Sequence, residues 1–205
     1  MSGGKSCGNE VMAKLYFNYS AMNAGKSAIL LQSAHNYRER DMHVLLMKPA
    51  LDTRSSAGEI ASRVGLSAPA DGFQSDTDVG AHILREHAKT RVACVLVDEA
   101  QFLTEAQVWQ LASIADEHNI PVMCYGLRTD FEGELFPGSK VLLAIADDLR
   151  EIRTICWCGR KATMNLRIDA KGEAVREGEQ IEIGGDDRYI ALCRAHFLSG
   201  SVSQG

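Results

Sequence analysis

Residues 20–27 have the composition of a loop that binds nucleotide phosphates. They read Ser-Ala-Met-Asn-Ala-Gly-Lys-Ser, which fits the pattern G-x-x-x-x-G-K-[ST] except that Ser20 replaces the first glycine. In such a loop, backbone N–H groups surround the β-phosphate, and a side chain at Gly25 would obstruct it. The Lys26 ammonium reaches the β and γ oxygens, and the Ser27 hydroxyl binds Mg²⁺. The segment therefore predicts an ATP site if the φ angle of Ser20 stays negative, with the phosphate-binding residues Ser20, Ala21, Met22, Asn23, Ala24, Gly25, Lys26 and Ser27.

Two acidic residues, Asp98 and Glu99, follow directly after the apolar run 92–97. A carboxylate at the end of a buried strand is a common second half of such a site, where it holds Mg²⁺ directly or through water. Glu99 would face the reacting end of the nucleotide, where it could accept a proton from an attacking hydroxyl or orient an attacking water. Taken alone, Asp98 could be an ordinary helix N-cap. Together with the loop, the pair predicts a site that acts on ATP.

Three cysteines and one histidine form two short pairs in the C-terminal part of the chain. Cys156 and Cys158 make the first pair, and Cys193 and His196 make the second. Each residue on its own could be a buried thiol or a surface histidine, but four sulfur and nitrogen ligands in two pairs suit tetrahedral Zn²⁺. Because four protein ligands leave no open position for a substrate, the predicted zinc is structural.

The elements that must position these residues alternate between strand and helix. Four apolar runs predict strands, at residues 14–19, 43–48, 92–97 and 120–125. Three stretches with helical spacing predict helices, at residues 27–34, 79–89 and 105–119. Residues 142–146 predict a further short buried element, whereas the segment 60–66 has no clear pattern. This order is typical of a mostly parallel sheet with helices on both faces.

After residue 151 the pattern changes to glycines, charges and short alternating runs such as 180–183, which indicates small antiparallel strands. We therefore predict four segments along the chain. These are a disordered extension at residues 1–12, an α/β nucleotide-binding domain at 13–150, a zinc-binding domain at 151–198 and a flexible tail at 199–205.

The composition excludes several classes of protein. The chain has 205 residues, 45% of them hydrophobic, and a net charge of −5, which is typical of a globular enzyme rather than a disordered or basic chain. It has no concentrated basic face for nucleic acid and no apolar stretch of membrane-spanning length. The opening residues lack the apolar core of a signal peptide, so we expect a cytoplasmic protein without nucleic-acid or membrane partners.

Four motifs together resemble the type II thymidine kinases, a family of bacterial enzymes that also includes the human cytosolic enzyme. The motifs are Tyr-Ser-Ala-Met-Asn-Ala-Gly-Lys-Ser at 19–27, Val-Asp-Glu-Ala-Gln-Phe at 97–102, Tyr-Gly-Leu-Arg-Thr-Asp-Phe at 125–131, and Gly-Gly-x-x-x-Tyr at 184–189. The resemblance covers residues 13–198, and family members accept Ser at the first loop position. It implies a RecA-like P-loop fold with a small zinc domain and a lasso loop. The implied reaction transfers the ATP γ-phosphoryl group to the 5′-hydroxyl of thymidine, in nucleotide salvage.

The resemblance also implies roles for individual residues. Glu99 matches the general base, and Gln101 falls with Asp98 in the phosphate-binding set. Asp52 and Arg54 match a pair beside the phosphates, where Arg54 could stabilise charge on the transferred group. Residues 177–189 match a lasso that closes over the nucleoside and binds thymine through backbone groups. The implied nucleoside-binding residues, each of which could instead be core packing, are Met22, Phe102, Leu127, Phe131, Met164 and Tyr189.

Further properties follow from the resemblance alone: a homotetramer, feedback inhibition by thymidine triphosphate, and deoxyuridine as a second acceptor. The zinc ligands depart from the human relative, because the first pair is Cys-x-Cys and His196 replaces a cysteine, which could weaken the affinity for zinc. A helicase-like or RecA-like ATPase stays open as an alternative, although such enzymes usually have two cores and a positive groove. A third possibility is a non-catalytic nucleotide-binding zinc module, if Glu99 is badly placed.

Overall fold

The computed structural model describes residues 12–50, 58–178, 180 and 188–203. Its first unit is an α/β layer structure with eight strands: β1 Leu15–Ser20, β2 Val44–Pro49, β3 Glu59–Ala61, β4 Ser67–Pro69, β5 Asp71–Phe73, β6 Cys94–Val97, β7 Val122–Leu127 and β8 Asp148–Glu151. Six of them form one sheet in the order β5-β2-β6-β7-β1-β8, and every pairing in it is parallel. The predicted parallel sheet is confirmed.

Helices cover both faces of this sheet. They are α1 Lys26–Arg38, α2 Val79–Lys89, α3 Glu105–His118 and α4 Pro137–Ile145. Strand β2 is buried along its whole length and contributes side chains to the apolar cores on both faces of the sheet. Val44 and Leu46 pack with α1 on one face. Leu45 and Met47 pack with α2, α3 and α4 on the other. A strand covered on both sides carries an unbroken apolar run, which is why residues 43–48 were predictable.

The helix starts follow local chemistry. Asp78 caps α2 by accepting a hydrogen bond from the Ala81 N–H at 2.8 Å. Thr104 and Gln107 form a capping box at the start of α3, in which each side chain accepts from the other's backbone N–H. Helix α4 has Pro137 at its first position, where the missing N–H costs nothing. The element predicted at 142–146 is therefore the second half of a longer helix.

The second unit is smaller and antiparallel. Strands β9 Thr154–Ile155 and β10 Lys161–Ala162 form one hairpin, and β11 Met164–Ile168 lies between β12 Ala174–Val175 and β13 Tyr189–Leu192. Helix α5 Arg194–Ser199 follows β13. The small antiparallel strands predicted after residue 151 are present, although residues 181–183 of the run 180–183 lie outside the described residues.

Two strand-forming segments could not be recognised from their sequence pattern. The unassigned segment 60–66 belongs to a hairpin of β3 and β4, which pair antiparallel across a turn that contains Gly65 at φ 85°. Strand β8 pairs with β1 and ends at Glu151, one residue beyond the domain boundary predicted at 150. Among the described residues, no helix is long and apolar enough to cross a membrane.

Candidate active site and metal centre

The ends of three neighbouring strands meet at one edge of the sheet. Strands β6, β7 and β1 are adjacent and parallel, so the residues that follow Val97, Leu127 and Ser20 lie together. This carboxyl edge is where open α/β sheets bind ligands. A cavity of about 470 Å³ opens there, lined by the loop and start of α1 (residues 22–28), by Asp98 and Glu99, by Leu127, and by residues 60–64 of the β3–β4 hairpin.

The loop between β1 and α1 has the backbone that its sequence predicts. Gly25 has φ 81°, a left-handed conformation that favours glycine. A Cβ built on it meets no protein atom within 4 Å, so the backbone conformation, rather than crowding by other residues of the chain, explains the glycine. Ser20 is not among the described residues with positive φ, as the loop requires. Its hydroxyl donates to the Ala21 carbonyl oxygen at 2.6 Å and accepts from Lys26 Nζ at 3.3 Å. The N-cap of α1 is Gly25, which has no side chain to cap the helix, and the start of α1 lines the cavity.

Ser27 and Asp98 are joined across the cavity floor. The Ser27 hydroxyl donates to Asp98 Oδ2 at 2.8 Å, and Asp98 is only 4% exposed. Burial raises the pKa of Asp98 to about 6, the neighbouring Glu99 adds to this, and Ser27 and Lys26 oppose it. A hydroxyl and a buried carboxylate side by side are the oxygen ligands that Mg²⁺ prefers, and a cation here would compensate the buried charge.

Glu99 stands at the turn after β6 in a left-handed conformation, with φ 49° and ψ 40°. Its N–H donates to Asp98 Oδ1 at 3.0 Å, and its carboxylate Oε2 accepts from Gln101 Nε2 at 2.5 Å. Such a conformation is unfavourable for a residue with a side chain and persists only where its surroundings enforce it. It leaves both carboxylates, Asp98 and Glu99, in the lining of one cavity.

The second unit brings the four predicted metal ligands together. Their ligand atoms all lie within 4.8 Å of one another. Cys156 and Cys158 stand on the β9–β10 turn, where Gly159 has φ 81°, and Cys193 and His196 stand at the start of α5.

The distances fit a shared zinc ion. His196 Nδ1 lies 3.3 Å from Cys156 Sγ and 3.5 Å from Cys193 Sγ, and the Sγ atoms of Cys158 and Cys193 are 4.0 Å apart. Tetrahedral zinc with ordinary bond lengths places sulfur about 3.6 Å from nitrogen and about 3.8 Å from a second sulfur. The cluster is therefore compatible with a structural zinc site.

The charge state of the thiols supports the same interpretation. Burial raises the pKa of Cys156, but backbone N–H groups of Cys158 and Cys193 and the side chain of His196 outweigh it and lower that pKa to about 6. The pKa of Cys158 is raised: a hydrogen bond from the Arg160 backbone lowers it, but burial and the neighbouring thiols have the greater combined effect. A bound dication removes that conflict between thiolates. The Trp157 ring stacks on the His196 imidazole, with ring centroids 4.0 Å apart.

Comparison with known proteins gives the family. The sequence model of the family described as thymidine kinase matches residues 13–197, which is most of the chain. The chain belongs to the thymidine kinase family. A thymidine kinase of Agrobacterium fabrum is 61% identical over 187 residues, which cover 91% of this chain and 97% of the relative. A thymidine kinase of Idiomarina loihiensis is 62% identical over 186 residues, which cover 91% of this chain and 96% of the relative. A thymidine kinase of Ruegeria pomeroyi is 57% identical over 194 residues, which cover 95% of this chain and 98% of the relative.

Family membership confirms the resemblance drawn from the four motifs, and it does not favour the helicase-like alternative. Of the residues that this resemblance assigned to the nucleoside, the structure brings Met22 and Leu127 to the cavity. The Met22 N–H donates to Asn165 Oδ1 at 2.7 Å. Asp52 and Arg54 lie outside the described residues, as do residues 179 and 181–187 of the lasso.

The other four residues assigned to the nucleoside are not among the described residues that line the cavity. Phe102 packs edge-on against Phe136, with centroids 5.8 Å apart. Phe131 is buried beneath the Arg167 guanidinium, 3.8 Å from its ring centroid. Met164 in β11 and Tyr189 in β13 are half-buried in the second unit.

Motif reasoning for this thymidine kinase family member missed the residues that connect the two units. The lasso start is held by Arg167, which donates to the Glu177 carbonyl at 3.0 Å, and by Asp130, which accepts from Gln180 Nε2 at 2.7 Å. Buried Asn165 links the loop at Met22 to the carbonyl of Thr129. The alternating segment 164–168, in which Asn165 and Arg167 stand between apolar residues, was the available signal in the sequence.

Sequence reasoning also missed the outer wall of the cavity, formed by residues 60–64 of the hairpin. Lys48 at the end of β2 donates to the Glu59 carbonyl at 2.9 Å and ties the hairpin to the sheet. A buried lysine at the end of an apolar strand, with Gly65 as a turn residue, was the available signal.

Proposed function

We propose that this chain is a thymidine kinase that transfers the γ-phosphoryl group of ATP to the 5′-hydroxyl of thymidine. The observation that carries the proposal is the meeting of Lys26, Ser27, Asp98 and Glu99 around one cavity, in a chain of the thymidine kinase family. The product is thymidine monophosphate, and the role is nucleotide salvage in the cytoplasm. Deoxyuridine, which has the same 5′-hydroxyl, is the second acceptor that we propose.

The phosphate side of the reaction belongs to the loop and to α1. We assign the loop residues 20–27 to ATP, with Lys26 as the charge against the β and γ oxygens. Ser27 and Asp98, already joined by a 2.8 Å hydrogen bond, would hold Mg²⁺, which when bound neutralises phosphate charge. Asp52 and Arg54 complete the phosphate set by the resemblance.

Glu99 is the general base in this proposal. Its carboxylate accepts the proton of the 5′-hydroxyl as that oxygen bonds to the γ-phosphorus, and the bond from phosphorus to the bridging oxygen of ADP breaks. The left-handed turn at Glu99 supports this role because it presents the carboxylate to the same cavity as Lys26.

The acceptor side belongs to both units. We assign Met22 and Leu127 to the apolar wall, Tyr189 to the sugar, and residues 177–189 to the lasso over thymine. Phe102, Phe131 and Met164 stay in the proposed set as supports of that wall. The zinc cluster flanks the lasso, and its role is to hold both ends of that loop.

Two regulatory properties rest on the family alone. We infer a homotetramer that thymidine triphosphate inhibits as an end product. Light scattering with and without thymidine triphosphate tests the assembly, and inhibition curves against thymidine test the feedback.

One assay tests the function itself. Zinc-loaded protein is incubated with ATP and Mg²⁺, and with either thymidine or single-stranded DNA. We expect thymidine monophosphate and ADP in equal amounts with thymidine, and no stimulation by DNA. Hydrolysis that is stimulated by DNA and indifferent to thymidine would instead favour the helicase-like ATPase.

A further inference from the structure

Gln101, which the resemblance places in the phosphate-binding set, is buried in the turn after β6. Its side chain is only 1% exposed and is not among the described residues lining the cavity. Its amide joins two groups instead. Nε2 donates to Glu99 Oε2 at 2.5 Å, and Oε1 accepts from the backbone N–H of Leu127 at 3.0 Å.

The backbone fixes which way this amide points. The Leu127 N–H can only donate, so the atom facing it must be the amide oxygen, and the amide nitrogen must then face Glu99. A side-chain amide that could flip would offer Glu99 a donor only part of the time. Here the Leu127 N–H, at the end of β7, keeps the Gln101 amide in the one orientation that donates to Glu99.

The turn that carries both residues is tightly enclosed. A Cβ on Gly126 would stand 2.9 Å from Gln101 Oε1 and 3.0 Å from its backbone nitrogen. A Cβ on Gly138 would stand 2.6 Å from the Ala100 carbonyl oxygen on the other side. Strand β7 and helix α4 therefore approach the turn as closely as glycine permits, which restricts movement of Gln101.

We propose that Gln101 is a positioning residue for the general base, a role that rests on the proposed kinase function. Its N–H fixes one oxygen, and hence the orientation, of the Glu99 carboxylate toward the acceptor hydroxyl. The anchor of Gln101 is the backbone of Leu127, which also lines the cavity. The strand end that bounds the acceptor pocket thus also sets the position of the base.

The test is a double-mutant cycle. Gln101→Leu keeps the approximate volume but removes both hydrogen bonds, and it is measured alone and in the Glu99→Gln background. A hydrogen bond to a charged group is worth enough to lower kcat for thymidine about 10- to 100-fold on its loss. We expect KM for ATP and thymidine to stay within about twofold, because Gln101 is buried and is not among the described residues that line the cavity. In the Glu99→Gln background, the same substitution should change kcat less than about twofold, since the base it positions is gone.

Gln107→Leu is the matched control. Gln107 is a buried glutamine of the α3 capping box whose amide donates to the carbonyls of Gln74 and Thr77, away from Glu99. We expect this variant to unfold at a lower temperature with unchanged kcat. If Gln101→Leu does not fold, Gln101→Met, which is unbranched and similar in length, takes its place in the cycle.

Each other outcome overturns the inference. Retention of kcat by the Gln101 variants would show that Glu99 needs no positioning. An equal loss in both backgrounds would show a general structural effect, and a raised KM for ATP with unchanged kcat would show phosphate binding. Wild-type protein that does not phosphorylate thymidine would refute the proposed function itself, which is a distinct result.

Discussion

The two units of this chain differ in what stabilises each of them. In the α/β unit, one parallel sheet is covered by two large apolar clusters, one on each face. Among the described residues of the C-terminal unit, the buried cluster has six members, and two of them, Cys156 and Cys193, are predicted metal ligands. Burial alone can stabilise the first, whereas a unit with so small a core usually requires a metal.

This difference places the proposed phosphoryl transfer mainly on the α/β unit and the proposed recognition of thymidine mainly on the C-terminal unit. The loop, Asp98 and Glu99 stand at the edge of the parallel sheet, and the loop meets the smaller unit at the hydrogen bond from the Met22 N–H to Asn165. The lasso leaves and enters the smaller unit, between β12 and β13. We therefore expect the metal to control acceptor binding and the apolar core to control nucleotide binding.

Loss of a zinc ligand should have the largest effect. Structural zinc contributes on the order of 10 kcal/mol to the folding of small domains, so Cys193→Ser should unfold the C-terminal unit and abolish detectable thymidine phosphorylation. Binding of an ATP analogue should change by no more than about twofold, because the α/β unit keeps its core. Metal analysis, near-ultraviolet circular dichroism in a Trp109→Phe background, where Trp157 is the remaining tryptophan, and analogue titration measure the three effects.

Cys124→Ala is the control for that substitution. Cys124 is a buried thiol in the centre of the parallel sheet, so its truncation should cost about 1 kcal/mol of stability without loss of zinc. If both variants lose nucleotide binding together, the two units are not independently stabilised. Less than about half an equivalent of zinc in wild-type protein purified without chelator would contradict the metal site itself.

Removal of the proposed base should have the next largest effect and leave both units intact. Glu99→Gln keeps the volume of the side chain but cannot accept the proton, so kcat should fall about a hundredfold or more. Zinc content, the near-ultraviolet circular dichroism spectrum and ATP affinity should match the wild type. A loss of ATP binding would mean that Glu99 supports the fold of the loop, and the comparison between chemistry and recognition would then fail at its centre.

The buried carboxylate of Asp98 predicts a pH dependence that belongs to the α/β unit alone. Its folded pKa of about 6 lies above the ordinary value, so the folded state binds more protons than the unfolded state between about pH 4 and 6. The free energy of unfolding should therefore fall as pH rises through that window, by on the order of 2–3 kcal/mol without magnesium. Denaturant unfolding of wild type and Asp98→Asn at a series of pH values measures this.

The variant should lose that slope. Asp148→Asn is the matched control and should keep it, since Asp148 is a half-buried aspartate of the edge strand, paired with Arg150 at 3.0 Å. An identical slope in wild type and Asp98→Asn would show that another group is responsible.

The same contrast explains how much could be predicted from the sequence. Helix α2 was predicted with its observed ends because its apolar spacing is regular and Asp78 caps it. Strand β8 was not predicted, because an edge strand such as Asp148–Glu151 is half exposed and charged and has no apolar run. The β3–β4 hairpin was also missed, since two strands of three residues are too short to show alternation.

For the site, residue types were predictable but side-chain directions were not. Lys26, Ser27, Asp98 and Glu99 meet as their order along the chain implies, because parallel strands bring their carboxyl ends together. The resemblance placed Gln101 in the phosphate-binding set, but it gave no sign that the Gln101 amide donates to Glu99 and accepts from the Leu127 N–H. Long-range contacts of this kind depend on the packing of β7 and α4 and leave no local pattern.

The smallest expected effect concerns Asn165, the residue that joins the two units. It is 2% exposed on β11, its Oδ1 accepts from the Met22 N–H at 2.7 Å, and its Nδ2 donates to the Thr129 carbonyl at 3.0 Å. Asn165→Leu would remove the partner of the part-buried Met22 N–H and of the buried Thr129 carbonyl, at a cost of about 1–3 kcal/mol. The substitution therefore tests whether the loop and the C-terminal unit act together.

If they do, Asn165→Leu should weaken thymidine binding several-fold and abolish any gain in thymidine affinity that an ATP analogue produces, since coupling between two sites is reciprocal and needs a physical link. Asn165→Asp keeps the acceptor for Met22 but not the donor to Thr129, so an intermediate effect would assign the coupling to the loop contact. Calorimetric titration of each nucleotide, with and without the other, gives both numbers. Unchanged coupling between the two nucleotides in both variants, with lowered stability, would show that Asn165 only stabilises the contact between the two units. Thymidine binding and phosphate binding would then be independent of each other at this contact.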